Sequence, residues 1–261
     1  MDVLTPRTLE EALRLKAERP DAVPIQGGTD LMVDLNFDRA RPVALLNLNE
    51  VAELRGWSRE NGRVWLGSGL TYAEAMERPL AEALPALAEA ARTVGGPQIR
   101  NRGTIGGNLG TASPAGDALP PLLVCGAEVK VASVRGERIV PLPDFVVGPK
   151  RNVLAEDELI LGVSVDATES RQTFMKVGPR NAMVIAVVSL AVRVDGEQLR
   201  AAFGSAGPVP TLVRADLGDA DSFPQRVAEA ASPIDDVRGT ASYRRHALHI
   251  LTRRALDRCL V

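Results

Sequence analysis

The residues best suited to ligand chemistry lie in a glycine-rich segment near the middle of the chain, residues 95–116. This segment holds seven of the 23 glycines. Glycine loses more backbone entropy on ordering than any other residue, so such clustering is favoured where the chain turns with positive φ or lies against a flat or charged group. Unshielded backbone N–H groups form an anion-binding concavity, and nearby Thr or Ser hydroxyls add donors without adding charge. The segment therefore predicts a diphosphate site, with a purely structural turn as the alternative.

A second glycine loop lies earlier in the chain, where the apolar residues 23–26 run into Gly27, Gly28, Thr29 and Asp30. Two glycine-rich loops, each carrying Thr and each next to an apolar strand, can hold one ligand with two phosphates from both sides. Two common motifs that bind phosphate groups with a single glycine-rich loop are missing from the sequence. The residues after 67–69 lack the third glycine of a Rossmann fingerprint, and no Gly-Lys-Ser/Thr phosphate loop occurs. The sequence therefore predicts a different ligand-binding fold.

Helices and strands alternate around these loops. Capping-box spacings at Thr8 and Thr71 predict two helix starts, and residues 84–93 predict a third helix. Predicted strands cover residues 23–26, 43–48, 64–67 and 159–165, with residues 31–33 helical or extended and a hairpin at 128–140. Three more strands are predicted at residues 174–177, 185–194 and 199–203, the last two joined by an Asp-Gly turn at 195–196. A helix over residues 242–260 closes a second domain that is predicted to begin near residue 167.

Composition and charge exclude several classes of protein. The chain has 31 Lys and Arg residues against 33 Asp and Glu residues, which leaves a charge of -2, and aromatic residues make up 3%. A nucleic-acid-binding protein needs basic residues to neutralise phosphates and aromatic residues to stack on bases, so this composition does not favour one. The longest apolar run, residues 182–192, is shorter than the ~20 residues that span a bilayer. The N-terminus has no basic segment leading into an apolar core, as a secretion signal would have. We therefore expect no nucleic acid, no membrane span and a cytoplasmic location.

Metal ligands are scarce. Cys125 and Cys259 are the two cysteines, and four thiolates are needed for an ordinary iron–sulfur cluster. His246 and His249 lie on one helix face without a neighbouring Glu or Cys, so two surface histidines are favoured over a metal site. If the protein is an enzyme, we expect a bound cofactor to carry the chemistry. The closing helix is rich in arginine (Arg244, Arg245, Arg253, Arg254 and Arg258), which indicates either a solvated face or a surface for an acidic partner.

Three contiguous motifs carry a resemblance to a known family. They are Gln-Gly-Gly-Thr-Asp-Leu at 26–31, Gly-Pro-Gln-Ile-Arg-Asn-Arg-Gly-Thr-Ile-Gly-Gly-Asn at 96–108 and Ala-Ser-Pro-Ala-Gly-Asp at 112–117. Together they resemble the FAD-binding medium subunit of molybdenum hydroxylases, which include the xanthine dehydrogenase and aerobic carbon monoxide dehydrogenase relatives. Further matches at 142–145, 157–160, Lys176 and 242–245 extend the resemblance over almost the whole chain.

The resemblance implies an α+β fold. An FAD-binding domain of the vanillyl-alcohol-oxidase (PCMH) type would occupy residues 1–166, with subdomains at about 1–54 and 55–166 that clasp the flavin. A C-terminal sheet-and-helix domain would occupy residues 167–261. FAD would be the cofactor of this chain, while molybdopterin and iron–sulfur clusters would belong to a large molybdenum-cofactor subunit and a small iron–sulfur subunit. A dimer of heterotrimers is one assembly that the resemblance allows.

The resemblance also implies a set of FAD contacts, which are Pro24, Ile25, Gln26, Gly27, Gly28, Thr29, Asp30, Leu31, Val94, Thr104, Ile105, Gly106, Gly107, Asn108, Thr111, Ser113, Asp117, Ile160 and Lys176. Residues 24–31 and 104–108 would hold the pyrophosphate and the ribityl chain. Asp117 would accept a hydrogen bond from a flavin hydroxyl or ring N–H, with a helix N-cap as the alternative. Lys176 would stabilise negative charge on the reduced ring, with a surface strand lysine as the alternative. No catalytic acid or base is expected, because the flavin is the reactive group.

Val94 and residues 183–185 depart from the pattern of some relatives, so NAD, oxygen, a quinone or another carrier all stay open as electron acceptor. The four-cysteine insertion of benzoyl-CoA-type relatives is missing. The sequence thus predicts an electron-transfer flavoprotein subunit that takes electrons from an iron–sulfur partner. Two alternatives stay open: a stand-alone FAD oxidoreductase with its own small substrate, and a non-catalytic nucleotide-binding assembly subunit.

Overall fold

The computed structural model describes residues 1–167 and 169–260, and its strands pair into four sheets. The first is a three-stranded parallel sheet in the order β1-β3-β2. Its elements are β1 (Asp2–Leu4), α1 (Leu9–Glu18), β2 (Ala22–Ile25), α2 (Leu31–Asn36) and β3 (Ala44–Asn47). The Thr8 hydroxyl accepts the N–H of Glu11 at 3.2 Å and so begins α1 as predicted, although the Glu11 carboxylate accepts from Arg7 rather than from the cap residue.

The second sheet has five antiparallel strands in the order β4-β5-β10-β6-β7, and a two-stranded sheet pairs β8 with β9. The elements in chain order are β4 (Trp57–Glu60), β5 (Arg63–Gly67), α3 (Tyr72–Ala75), α4 (Leu80–Ala83), α5 (Pro85–Thr93), α6 (Pro97–Arg100), α7 (Ile105–Thr111), α8 (Leu119–Val124), β6 (Glu128–Ser133), β7 (Gly136–Pro141), α9 (Leu142–Phe145), β8 (Val146–Gly148), β9 (Arg151–Asn152) and β10 (Leu159–Asp166). The predicted β6–β7 hairpin and the complete capping box of Thr71 and Glu74 are confirmed.

The last sheet is an antiparallel meander, β11 (Arg171–Val177), β12 (Val188–Asp195), β13 (Gln198–Gly204) and β14 (Thr211–Asp216), followed by α10 (Phe223–Glu229) and α11 (Ala241–Leu260). The predicted hairpin between β12 and β13 is confirmed, but its two-residue turn lies one residue later than predicted, at Gly196 and Glu197, because Asp195 still pairs with Gln198. Gly196 has a φ of 57°. The predicted strand from residue 185 begins later, at Val188. Ile185 remains 63% exposed, because residues 183–185 line a cavity instead of pairing with a neighbouring strand.

The C-terminal sheet is covered on both faces, which explains the nearly continuous apolar run of β12. Leu190 and Val192 belong to the core formed with α10 and α11, whereas Ala191 and Ala202 belong to the core shared with α5 and α8. Strand alternation therefore places Leu190 and Val192 on one face of β12 and the small Ala191 on the other, where it pairs with the equally small Ala202 of β13. The small side chains let α5 and α8 approach closely, and this packing brings β11 next to the residues that follow α5.

The predicted α+β fold class is confirmed, whereas the expectations for Arg244 and for residues 105–111 are wrong. Arg244 is not part of a solvated basic face: it is 2% exposed, because it lies between β12, β13 and a loop. The glycine-rich residues 105–111 form the helix α7 rather than an open loop. Among the described residues, no helix combines the length and the apolar character needed to cross a bilayer. The domain division after residue 166 stays a prediction.

Candidate functional site

A cavity of about 650 Å³ lies where the loop after β2, the helix α7 and the segment before β12 meet. Its volume is within the range of roughly 300–1,000 Å³ typical of sites for cofactors and small molecules. Every FAD contact implied by the resemblance lines this cavity except Ile105 and Lys176. Ile105 lies fully buried in the central core, so its side chain cannot reach a ligand there. The tertiary structure thus brings together two glycine segments about 80 residues apart.

The first glycine loop presents free backbone donors to the cavity. The N–H groups of residues 27–31 donate to no acceptor among the described residues, while all five residues line the cavity. Gly28 has a φ of 72°, and a Cβ at Gly27 would collide with the carbonyl group of Arg102. Glycine is therefore required at both positions, and the resulting run of amides is the kind of concavity that binds anions.

The second glycine segment has a different use from the one predicted. The N–H groups of Ile105 and Gly106 donate to Leu70 and Ser68 carbonyls at 2.9 and 2.8 Å, and those of Gly107 and Asn108 donate to Thr104 at 3.0 Å each. The expectation of unshielded amides is therefore wrong for these four residues. A Cβ at Gly106 would collide with Ser68, so this glycine allows close packing of α7 on the residues after β5.

Asp117 and Lys176 form a buried ion pair at the inner end of the cavity. The Asp117 Oδ2 and Lys176 Nζ atoms are 2.5 Å apart, and the side chains are 8% and 5% exposed. Both structural alternatives are wrong: Asp117 makes no helix cap, since Ala118 precedes α8 without a side-chain cap bond, and Lys176 is not on the surface. Burial raises the pKa of Asp117, and the Lys176 ammonium partly opposes that effect.

Three buried side-chain oxygens of cavity residues have no hydrogen-bond partner among the described residues. They are Ser68 Oγ, Asn108 Oδ1 and Asp117 Oδ1. Unpaired buried acceptors are costly, and a ligand that carries several hydroxyl or N–H donors would satisfy them. Thr111 donates to Asp30 at 3.2 Å and so ties α7 to the first glycine loop. The residues present therefore fit a ligand with both a diphosphate and a polyhydroxyl or N–H-bearing part.

An apolar wall forms another part of the cavity lining. Val94, Gly95 and Ile99 come from the chain around α5 and α6, and residues 183–185 come from the segment between β11 and β12. Apolar walls with a few polar groups are typical of pockets that take aromatic cofactors. The segment at 183–185 is thus part of the cavity, although sequence reasoning placed it only by resemblance.

Sequence reasoning missed several cavity residues, among them Ser68, Tyr72 and Glu158. Ser68 had a signal, because it stands between Gly67 and Gly69 at the end of a strand. Tyr72 had none, since it looked like an ordinary helix residue after the cap at Thr71. Its burial and the nearby Asp117 carboxylate both raise the pKa of its phenol.

Metal-ligating side chains do not cluster in the part of the chain that the structure describes. Cys125 and Cys259 are both buried, and burial raises the pKa of each thiol to about 11. The site chemistry available from the described residues is therefore hydrogen bonding and charge complementarity.

Comparisons with known proteins agree with this geometry. A family profile described as "FAD binding domain in molybdopterin dehydrogenase" matches residues 1–166. The nicotine 6-hydroxylase medium subunit of Paenarthrobacter nicotinovorans is 31% identical over 97% of this chain and 94% of that protein. The xanthine dehydrogenase FAD-binding subunit of Escherichia coli O157:H7 is 29% identical over 96% of this chain and 92% of its own length. A carbon monoxide dehydrogenase structure from Hydrogenophaga pseudoflava superposes with a TM-score of 0.92 at 25% identity, covering 100% of this chain and 97% of the other.

Proposed function

This chain belongs to the family of FAD-binding domains in molybdopterin dehydrogenases, and from that premise we propose that it holds FAD in the cavity and carries electrons from an iron–sulfur partner to an external acceptor. As a member, it is the FAD-binding medium subunit of a molybdenum hydroxylase, an FAD-dependent oxidoreductase subunit. One observation carries the proposal. Five free amides and the unpaired Asp117 oxygen line the same cavity.

We propose that the amides of residues 27–31 bind the pyrophosphate of FAD. Their concavity favours an anion, and the hydroxyl of Thr29 is available as a further donor. The wall of α7 would contribute the Thr104 and Asn108 side chains and close backbone approach at Gly107, rather than free amides. Pro24, Ile25 and Ile160 would add apolar contact along the cavity.

The inner end of the cavity is proposed to hold the flavin part. Asp117 Oδ1 and Asn108 Oδ1 would accept from ribityl hydroxyls or a ring N–H, with Thr111 and Ser113 beside them. The apolar wall with Val94 and residues 183–185 would cover the ring and exclude water. When bound, FAD supplies the ability to accept electrons singly or in pairs and to release them again. Lys176 lies behind Asp117, so its proposed effect on ring charge would act across that carboxylate.

The assembly is proposed to contain a large molybdenum-cofactor subunit and a small iron–sulfur subunit, with a dimer of heterotrimers as the complete complex. Two relatives are named as a medium subunit and as an FAD-binding subunit, which supports a multi-subunit enzyme. We also propose a cytoplasmic location and a domain division at residues 1–166 and 167–261. NAD, oxygen or a quinone would each be compatible as acceptor.

The first test is a titration of the purified full-length chain with FAD, in which binding is measured by the quenching of flavin fluorescence. We expect saturable binding with one FAD per chain. FMN is the control, because it keeps the ring, the ribityl group and one phosphate but lacks the second phosphate and the adenosine, and we expect it to bind at least about tenfold more weakly. Equal affinity for FMN and FAD would contradict the assignment of residues 27–31 to the pyrophosphate. Absence of saturable FAD binding would reject the proposed function.

The electron-transfer part needs the native complex. We expect gently purified protein to be yellow, to carry both partner subunits and to transfer electrons from the substrate of the complex to an added acceptor. A yellow chain that is active alone would instead support the stand-alone oxidoreductase, and a colourless one the assembly subunit.

A further inference from the structure

The cavity has a charged support behind its wall. Lys176 projects from β11 of the C-terminal sheet, and it is not among the residues that line the cavity. Its Nζ atom donates to Asp117 Oδ2 at 2.5 Å and to the carbonyl oxygen of Thr93 at 3.3 Å. Thr93 ends α5 just before the cavity residues Val94 and Gly95. One buried ammonium therefore joins two separate parts of the wall.

The remaining oxygen of Asp117 gives this contact a consequence for ligand binding. Because Lys176 occupies Oδ2, the carboxylate is held in one orientation while Oδ1 has no hydrogen-bond partner among the described residues. A buried carboxylate oxygen without a donor costs free energy, and a ligand N–H or O–H would recover it. Hydrogen bonds to an ionised acceptor are shorter and stronger than neutral ones. The arrangement thus prepares an oriented acceptor at the inner end of the cavity.

We propose that Lys176 is a positioning residue for the cofactor, acting through Asp117 and Thr93 without touching the ligand, so that the C-terminal sheet sets the affinity of a cavity built mostly by residues 1–166. This inference rests on the proposed function, since the ligand is taken to be FAD. It differs from a direct contact of Lys176 with the flavin ring, because removing Asp117 should then abolish the contribution of Lys176.

The charges around Asp117 allow the two roles to be distinguished. Burial raises the pKa of Asp117, and the ammonium of Lys176 is the group that opposes this rise. Tyr72 of α3 also faces Asp117, but burial raises the pKa of its phenol, so it stays neutral. Without Lys176, Asp117 would become protonated at a higher pH and would lose its ionised acceptor. The affinity for FAD would then depend on pH.

The test measures the Kd for FAD of the full-length chain by flavin fluorescence at several pH values around neutrality. The variants are Lys176→Gln, Asp117→Asn and the double variant, each checked for folding by circular dichroism. We expect each single substitution to raise the Kd about tenfold at neutral pH. The Kd of Lys176→Gln should rise further as the pH falls, whereas that of Asp117→Asn should be independent of pH. The double variant should bind no more than about twofold more weakly than the weaker single variant.

Two controls distinguish a positioning role of Lys176 from a general loosening of the packing between α5 and β11. Glu89 of α5 accepts from Thr173 Oγ1 at 2.9 Å and from the N–H of Phe174 at 2.6 Å, so Glu89→Ala removes another contact between α5 and β11. We expect it to lower thermal stability without making FAD binding depend on pH. Lys176→Arg keeps the positive charge, so its FAD binding should stay independent of pH. If Lys176→Gln does not fold, Lys176→Arg and Asp117→Asn are compared with the wild type instead.

Three results would overturn the inference. The first is a Lys176→Gln variant that has the wild-type affinity for FAD and the wild-type pH dependence. The second is a double variant in which the losses of FAD affinity of the two single variants multiply. The third, which applies when the glutamine variant does not fold, is pH-dependent FAD binding in Lys176→Arg. Multiplying losses would mean that Lys176 contacts the ligand by itself. A wild-type chain that binds no FAD would be a different outcome, because it would reject the proposed function and this inference with it.

Discussion

The glycines of the two segments that line the cavity have different roles. In residues 27–31 the backbone amides stay free and the glycines allow the chain to turn and to approach Arg102 closely. In α7 the amides are already hydrogen-bonded, and Gly106 is required because Ser68 leaves no room for a side chain. Glycine thus exposes donors in the first segment and permits close packing in the second.

Gly27→Ala tests the close approach of the first loop. Its Cβ would meet the backbone carbonyl of Arg102, which cannot move aside as the end of a side chain could. We expect a loss on the order of 1–3 kcal/mol in unfolding free energy, together with weaker FAD binding because the amides shift. Chemical denaturation and FAD titration measure the two effects.

The matched control for this substitution is Gly218→Ala. Gly218 has no heavy atom within 4 Å of the added Cβ, and its φ is outside the left-handed region. We expect a change in unfolding free energy below about 0.5 kcal/mol and unchanged FAD affinity. Similar effects of the two substitutions would contradict the role given to Gly27.

Among the elements, α11 shows how one buried side chain can hold several segments. Arg244 donates to the carbonyl oxygens of Val187 and Ser205 and, at 2.5 Å, to Asp236 Oδ1. It therefore connects the helix to the start of β12, the end of β13 and the loop before α11. Since Val187 follows the cavity residues 183–185, the same contact anchors one end of the apolar wall.

Arg244→Met should remove these three hydrogen bonds and leave two buried carbonyl groups without donors. We expect a loss of about 2–3 kcal/mol in unfolding free energy at neutral pH, measured by urea denaturation. Arg245→Met is the control, because the neighbouring Arg245 is exposed and its replacement should change stability by less than about 0.5 kcal/mol. A loss as large for Arg245 as for Arg244 would contradict the assigned role.

The ion pair of Arg244 and Asp236 predicts that stability depends on pH. Burial alone would raise the pKa of Asp236, but hydrogen bonds from Arg238 and Arg244 outweigh burial and lower it from 3.8 to about 2. A carboxyl whose pKa is lower in the folded state stabilises the fold above its unfolded pKa and loses this contribution as the pH falls through the folded value. The difference between wild type and Arg244→Met should therefore shrink as the pH is lowered from 3.8 towards 2. A difference that grows in acid would oppose this explanation.

In the molecule as a whole, the cavity joins parts of the chain that belong to three different sheets. Its walls include the loop after β2, the strand β10 and the segment between β11 and β12. A ligand at this place contacts all three parts at once. Its binding free energy therefore adds to the stability of their packing, provided that the unfolded chain does not bind it.

FAD should accordingly raise the melting temperature. With free FAD at a hundred times its Kd, the gain is about 2.7 kcal/mol, which corresponds to a shift of roughly 5–10 °C for a chain of this size. Differential scanning fluorimetry with intrinsic tryptophan emission would measure it, with AMP at the same concentration as control. An unchanged melting temperature at saturating FAD would contradict binding between these parts of the chain.

Much of the local structure could be predicted because it depends on residues close together in the chain. Thr8 and Thr71 begin helices through hydrogen bonds that span three residues, and the glycine of the Asp-Gly pair at 195–196 begins the two-residue turn at 196–197. The strand β14 was missed, since most of its residues are only partly buried and its side chains do not alternate clearly. The order of the strands within each sheet was not predictable either, because sheet neighbours are distant in sequence.

By itself, the sequence determined the family and the residues around the cavity, since the ligand-binding motifs are contiguous and their glycines and threonines can be read in order. The tertiary structure decided how these residues are used. The first two amides of α7 donate to the carbonyl oxygens of Leu70 and Ser68. Lys176 pairs with Asp117, which lies 59 positions earlier in the chain, and Arg244 is buried rather than solvated. Each of these outcomes depends on which distant segments pack together, and that packing determines which polar groups find a partner in the protein and which are left for a ligand.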